Sequence, residues 1–142
     1  MQATAMITGE IFPSQAWVDD WTRVINADDQ LARLGKWFDA RVLFDFGGDK
    51  YLVKFSAGRV ESVLAQPIWD KPWDFCIRAT LDCWQKSLQS PPPPFYQDIF
   101  GMMWNHGMTL EGDVVKAMQN IRALKLVLAS MKRAGLSSGV PL

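Results

Sequence analysis

The 142-residue sequence contains one histidine and two cysteines, which narrows the chemistry open to it. Any triad built on imidazole would have to use His106, and no Gly-x-Ser-x-Gly elbow accompanies it. His106 stands in Asn105-His106-Gly107, a helix-stop setting where a cation suits the carbonyl end of the helix dipole, so its role reads as structural. Cys76 and Cys83 lie outside C-x-x-C and zinc spacings and read as reduced, buried, small hydrophobes. No P-loop or Gly-x-Gly-x-x-Gly opens a helix to cradle phosphate. Glu111 and Asp113 flank Gly112 at a strand-to-helix corner. Asp113 reads as a helix N-cap, with catalysis as the alternative. The pairs Asp19-Asp20 and Asp28-Asp29 read as surface and helix-start charge. A lyase or isomerase acting on a lipid would have to work with these scattered acids and the lone His. The expectation is of a protein that is not an enzyme, with no metal and no cofactor.

What the chain does hold is apolar capacity. Hydrophobic residues make up 49% of it, including seven Trp, eight Phe and seven Met, a mixture that suits either a dense core or a deformable cavity wall. One domain spanning 1–142, with an ordered core of about 14–133, fits this length. Ser14 is placed to cap a first helix carrying Trp17, Val18, Trp21, Val24 and Ile25 on one stripe, with Asp19, Asp20 and Arg23 solvated. A shorter helix follows over Asp28 to Leu34, stopped by Gly35. From Arg41 the period becomes two. Three strands in an antiparallel meander turn at Gly47-Gly48-Asp49 and at Ala57-Gly58. Pro67 and Pro72 mark a crossover to a fourth strand, Phe75 to Ala79, and Thr80 then caps a helix running to about Gln89.

Pro91 to Pro94 form an extended, rigid spacer, and Phe95 to Trp104 a compact helix. Met108 to Glu111 make a short fifth strand. Val114, Ala117 or Met118, Ile121, Leu124, Leu128 and Met131 then mark one long terminal helix. The fold class is α+β, a five-stranded, mainly antiparallel sheet in the order α-β-β-β-crossover-β-α-α-β-α, with one face covered by helices. Bulky residues expected to face inward include Trp17, Trp21, Phe44, Phe46, Phe55, Trp84, Phe100, Met103, Trp104 and Met118, more than flat two-layer packing needs. The tail from Gly135 to Leu142 is expected to fray.

Several strings resemble the sterol carrier protein type 2-like family. They are Tyr51-Leu52-Val53-Lys54-Phe55-Ser56-Ala57-Gly58-Arg59-Val60, Met108-Thr109-Leu110-Glu111-Gly112-Asp113, and the strand-then-helix run from Ile77 through Leu88 with Trp84 inside it. The resemblance implies five strands with helices over one face, an apolar tunnel between them for sterols, fatty acids, acyl-CoA or similar molecules, and no catalysis by the domain. The matching lining positions are Phe44 and Phe55 on the sheet, Trp84, Phe100 and Met103 on the middle helices, and Met118 and Ile121 on the terminal helix. Trp104 is a further ligand-binding candidate from its inward-facing pattern. The four prolines and the 95–104 insert depart from the family pattern, and the chain lacks a Ser-Lys-Leu ending.

Fifteen basic residues balance fifteen acidic ones, which argues against nucleic acid as a partner. Residues 1–40 sum to -3, 41–112 to -1 and 113–142 to +4, so the terminal helix is basic on a neutral protein. Lys125, Lys132 and Arg133 could make transient contact with an anionic membrane surface, the alternative being a solvated face. No stretch of about 18 apolar residues spans a bilayer, and the N-terminus lacks a signal-peptide pattern. A cytoplasmic location is expected. The first function expected is binding of a hydrophobic small molecule, with transfer as its extension. The rival is an accessory or dimerisation module that partners an enzyme, its pocket filled by Trp104 or Phe95. Monomer and homodimer both remain open.

Overall fold

The computed structural model describes residues 11–67 and 71–134; the expectations for the N-terminus and for the 135–142 tail lie outside those residues. Helix α1 (Gln15–Asn26) starts where the Ser14 hydroxyl accepts the Trp17 amide at 3.1 Å. Helix α2 (Asp29–Leu34) starts where the Asp28 carboxylate accepts the Leu31 amide. Strands β1 (Ala40–Phe46), β2 (Lys50–Ser56) and β3 (Arg59–Ala65) form the antiparallel meander. Strand β4 (Phe75–Ala79) leads into α3 (Leu81–Ser87), capped by Thr80 through the Cys83 amide. Next come α4 (Ile99–Asn105), β5 (Thr109–Gly112), α5 (Val114–Gln119) and α6 (Ile121–Ser130), closing on a single tight turn over Met131–Arg133. Asp113 caps α5 by accepting the Lys116 amide at 3.0 Å.

The sheet order is β3-β2-β1-β4-β5, and β1 with β4 is the parallel pair. Chain passage from the β3 edge to the far side of β1 brings β4 in parallel, so the sheet is mixed while remaining mainly antiparallel. Register decides which face is apolar. Val42, Phe44 and Phe46 lie opposite Phe75, Ile77 and Ala79 on β4, and β2 adds Tyr51, Val53 and Phe55 to the same face. All nine are buried. Trp17, Trp21 and Ile25 of α1, Trp84 of α3, and Leu124 and Val127 of α6 close over them as one cluster. Among the described residues the opposite face holds a small cluster, Leu43, Leu52 and Cys76 with Trp73 packed against it.

Two buried tryptophans also carry an N–H that must be satisfied. Trp21 donates to the Ser130 hydroxyl at 2.9 Å, tying α1 to α6, and Trp84 donates to the Asp45 carbonyl at 2.8 Å, tying α3 to β1. At the other edge the Asn26 side chain accepts the Val60 amide and donates to the Val60 carbonyl, clamping the end of α1 to β3.

Several sequence expectations are corrected. Asp20 is 1% exposed and paired with Arg23 at 2.5 Å rather than solvated. Helix α1 touches β3 on one side and α6 on another, so its buried arc is wider than a single stripe. The terminal helix breaks at Asn120, whose side chain bonds back to the Lys116 carbonyl. Its buried residues are Ala117, Ala123, Leu124, Val127, Ser130 and Met131, while Val114 is exposed. Helix α4 begins four residues later than expected because the Asp98 carboxylate caps it through the Phe100 amide, whereas Phe95 sits at φ 68 in a turn. That turn, closed by Tyr96 N–H to the Pro93 carbonyl at 3.1 Å, bends the end of the proline run that the sequence suggested was a straight spacer.

The β2–β3 turn touches the end of α2. Gly58 has φ +77, and a Cβ there would lie 2.8 Å from the Gly35 carbonyl oxygen. Gly58→Val therefore combines backbone strain with a clash against backbone, and should cost at least about 2 kcal/mol. Urea unfolding of the two proteins checks this; an unchanged midpoint would contradict it.

Candidate functional site

Where a tunnel between sheet and helices is expected, the structure has packed rings. Trp21 meets Phe44 edge-on with centroids 5.0 Å apart, Phe46 meets Trp84 at 4.9 Å, and Phe38 lies 4.9 Å from Phe55. A tunnel through this core is not seen among the described residues. An apolar cavity of about 500 Å³ lies instead within the helical layer, among α2, α3, α4 and α6.

Trp84 forms the inner wall of this cavity, its ring oriented by the bond to Asp45 and by the edge contact with Phe46. Helix α4 contributes Ile99 and Met102, one turn apart on its buried side. Leu126, Leu128 and Ala129 of α6 face them, followed by Met131. Gln30 and Leu34 of α2 stand at the exposed margin, and the 96–98 segment closes another side through Tyr96, Gln97 and Asp98.

The proline-linked insert thus builds a wall of the cavity. Tyr96 stacks on His106 with centroids 3.6 Å apart and planes 10° apart, and His106 Nε2 lies 3.1 Å from the Pro94 carbonyl. His106 also ends α4, its N–H donating to the Met102 carbonyl. Gly101 permits the close approach of the 93–96 turn, since a Cβ would lie 2.9 Å from the Phe95 carbonyl oxygen.

Two of the polar side chains lining the cavity are committed to backbone. The Ser87 hydroxyl donates to the Trp84 carbonyl at 2.6 Å, and the Asp98 carboxylate caps α4. Neither His nor Cys is among the described lining residues. Among the described lining residues the side chains able to take or give a proton are Tyr96, Asp98, Lys125 and Lys132. Among the described residues no three His, Cys, Asp or Glu side chains are grouped to hold a metal ion. Three cations, Arg122, Lys125 and Lys132, stand on the exposed side of the lining.

Of the eight ligand-binding positions read from the sequence, Trp84 lines the cavity. Phe44 and Phe55 belong to the closed core, both fully buried. Met103 and Ile121 are half-buried against the edge of that core, and Met118 is half-buried on α5. Phe100 and Trp104 stack on one another at 5.8 Å beside the cavity, Phe100 half-buried and Trp104 79% exposed. Lys125 and Lys132 are at the cavity margin, whereas Arg133 turns to Asp28 at 3.2 Å. Sequence reasoning did not single out Ile99, Met102, Ala129 or Arg122 as site residues. The spacing of Arg122, Lys125, Ala129 and Lys132, three or four residues apart, does put them on one helical stripe.

On the uncovered face of the sheet, Arg78 bridges Asp45 and Glu111, the latter at 2.9 Å, and Thr109 also donates to Glu111. The Arg78 and Thr109 hydrogen bonds hold the Glu111 carboxyl below its usual range, so it serves as a fixed anion rather than a proton donor near neutrality. Burial pushes the neighbouring Cys76 thiol up to about 11 and also raises Cys83.

No protein-family model matches the sequence, and no curated protein is detectably similar to it. Solved structures do match in fold. A crystal structure of sterol carrier protein 2 superposes with a TM-score of 0.71 at 14% identity, over 87% of this chain and 99% of its own. The solution structure of a conserved hypothetical protein from Thermus thermophilus, whose description suggests a sterol carrier protein, gives 0.69 at 18% identity over 93% and 99% of the two chains. A ubiquinone synthesis protein, UbiJ-SCP2, gives 0.54 at 13% identity over 87% and 95%. The chain has the sterol carrier protein 2-like fold, as the strings around Tyr51–Val60 and Met108–Asp113 imply.

Raised thiol pKa values and burial make both cysteines poor nucleophiles. Ellman's reagent at about pH 8 should label neither Cys76 nor Cys83 in the folded protein and both after unfolding. Rapid labelling of the native protein would contradict this.

Proposed function

We propose that this protein is a non-catalytic carrier that binds one hydrophobic, lipid-like molecule in the cavity among α2, α3, α4 and α6. The observation that carries the reading is the cavity itself: about 500 Å³, walled by Trp84, Ile99, Met102, Leu126, Leu128 and Met131, with the Asp98 carboxylate and the Ser87 hydroxyl tied to backbone. That volume lies within the range of about 300–1,000 Å³ common to small-molecule sites. Burying about 400 Å² of apolar ligand surface would contribute about 10 kcal/mol before immobilisation costs, enough for micromolar binding without a polar anchor.

Fold likeness to proteins described as sterol carriers supports a sterol-like ligand, and the apolar lining suits a fatty acid or acyl chain equally. The bulky side chains that would plug a self-filled pocket, Trp104 and Phe95, are 79% and 57% exposed and stand outside the lining. That favours the carrier over the accessory module. No described helix is long and apolar enough to cross a membrane. The two free cysteines suit the reducing cytoplasm in which we propose the carrier acts.

Ala129 is exposed on the cavity margin, so Ala129→Trp should fill the opening at little cost to folding. Displacement of a fluorescent fatty acid should weaken by about tenfold or more in this variant, with a thermal midpoint close to that of the parent, because an added indole occupies ligand volume. Native mass spectra of the parent should lose a lipid-sized mass on solvent extraction. Absence of both the adduct and probe uptake, or uptake unaffected by Ala129→Trp, would contradict the proposal.

A further inference from the structure

The cavity opens beside an exposed aromatic and basic surface that the fold does not need. Trp104, at 79% exposure, contributes almost nothing to the core, yet its ring stacks on Phe100, and the Lys125 ammonium lies 5.0 Å over that same Phe100 ring. Lys125 in turn lines the cavity together with Arg122 and Lys132, which share its helical stripe. An indole with a cation beside it suits the headgroup level of a bilayer, where one part of the ring is apolar and its N–H is wet.

Charge decides which partner fits. Arg122, Lys125 and Lys132 are exposed, and the one acidic residue among the described residues lining the cavity, Asp98, is taken up in capping α4. The neighbouring Arg133 pairs with the Asp28 carboxylate. A surface with three cations and an exposed indole matches the negative surface potential of anionic phospholipid, each base near such a surface contributing about 1 kcal/mol.

We propose that the face formed by Trp104, Phe100, Arg122, Lys125 and Lys132 docks on anionic phospholipid bilayers and turns the cavity opening toward the membrane. In this arrangement a hydrophobic ligand passes between bilayer and cavity with little exposure to water. The docking rests on the carrier reading for its purpose but not for its physical basis, and the two can fail separately.

Co-sedimentation of the full chain with vesicles tests it. Vesicles of about three parts phosphatidylcholine to one part phosphatidylserine should bind about tenfold or more tightly than phosphatidylcholine alone, and added salt should weaken the binding. The Lys125→Glu/Lys132→Glu pair should abolish most of this preference. Trp104→Ala, outside the cavity lining, should weaken vesicle binding several-fold while leaving fluorescent fatty-acid uptake unchanged. Lys54→Glu, on the uncovered sheet face, should leave vesicle binding as it was. Equal binding to both vesicle types, no effect of Trp104→Ala, or an equal loss with Lys54→Glu would overturn the proposal. So would a stable dimer that Trp104→Ala disperses, because that would assign the patch to a second copy. Vesicle binding with no lipid uptake would remove the carrier reading and leave the docking intact.

Discussion

The inward face of β1 sets the terms for the rest of the molecule. Val42, Phe44 and Phe46 are completely buried in the middle of the sheet, and parallel pairing with β4 extends that face through Phe75 and Ile77. Two large rings in one strand can be removed from water only by elements carrying comparable bulk. Helix α1 supplies Trp17 and Trp21, and α3 supplies Trp84. Each of those indoles brings aromatic area and edge-to-face contacts. The N–H groups of Trp21 and Trp84 then fix where the helices sit, because one must reach Ser130 on α6 and the other the Asp45 carbonyl.

This constraint also decides where a cavity can exist. Rings packed between sheet and helices leave no tunnel there among the described residues, and the open space moves outward to the junction of α2, α3, α4 and α6. Trp84 belongs to both regions: one side of its ring meets Phe46 in the core, and the residue walls the cavity. The 91–98 segment completes the enclosure through Tyr96 stacked on His106. The lone histidine, the most conspicuous chemical group in the sequence, therefore holds a wall in place. Arg122, Lys125 and Lys132 lie on the same opening, so the apolar site and the basic end of the chain form one surface.

Fold was more legible in the sequence than the site was. Caps at Ser14, Thr80 and Asp113, the strand pattern from Arg41 to Leu64, and the turns at Gly47-Gly48 and Ala57-Gly58 are local signals, and each corresponds to the observed geometry. Site residues depend on which buried faces are filled and which are hollow, and periodicity reports only that a face is apolar. Phe44 and Trp84 give the same sequence signal, yet one is core and the other a cavity wall. The break at Asn120 and the late start of α4 were hidden for a related reason: one side-chain bond to backbone overrode an apolar period that ran on past it. Asp20 looked solvated because an acid on an amphipathic helix gives no local sign that it is buried and paired, here with Arg23.

On the carrier reading, the ligand lies within the helical layer rather than against the sheet. A fatty acid bearing a photoactivatable diazirine, cross-linked to the purified protein and mapped by peptide mass spectrometry, locates the bound chain directly. Adducts on α4 around Ile99 and Met102 and on the 126–131 segment are the predicted result. Adducts on β1 and β2 around Phe44 and Phe55, or no specific adduct at all, would contradict it.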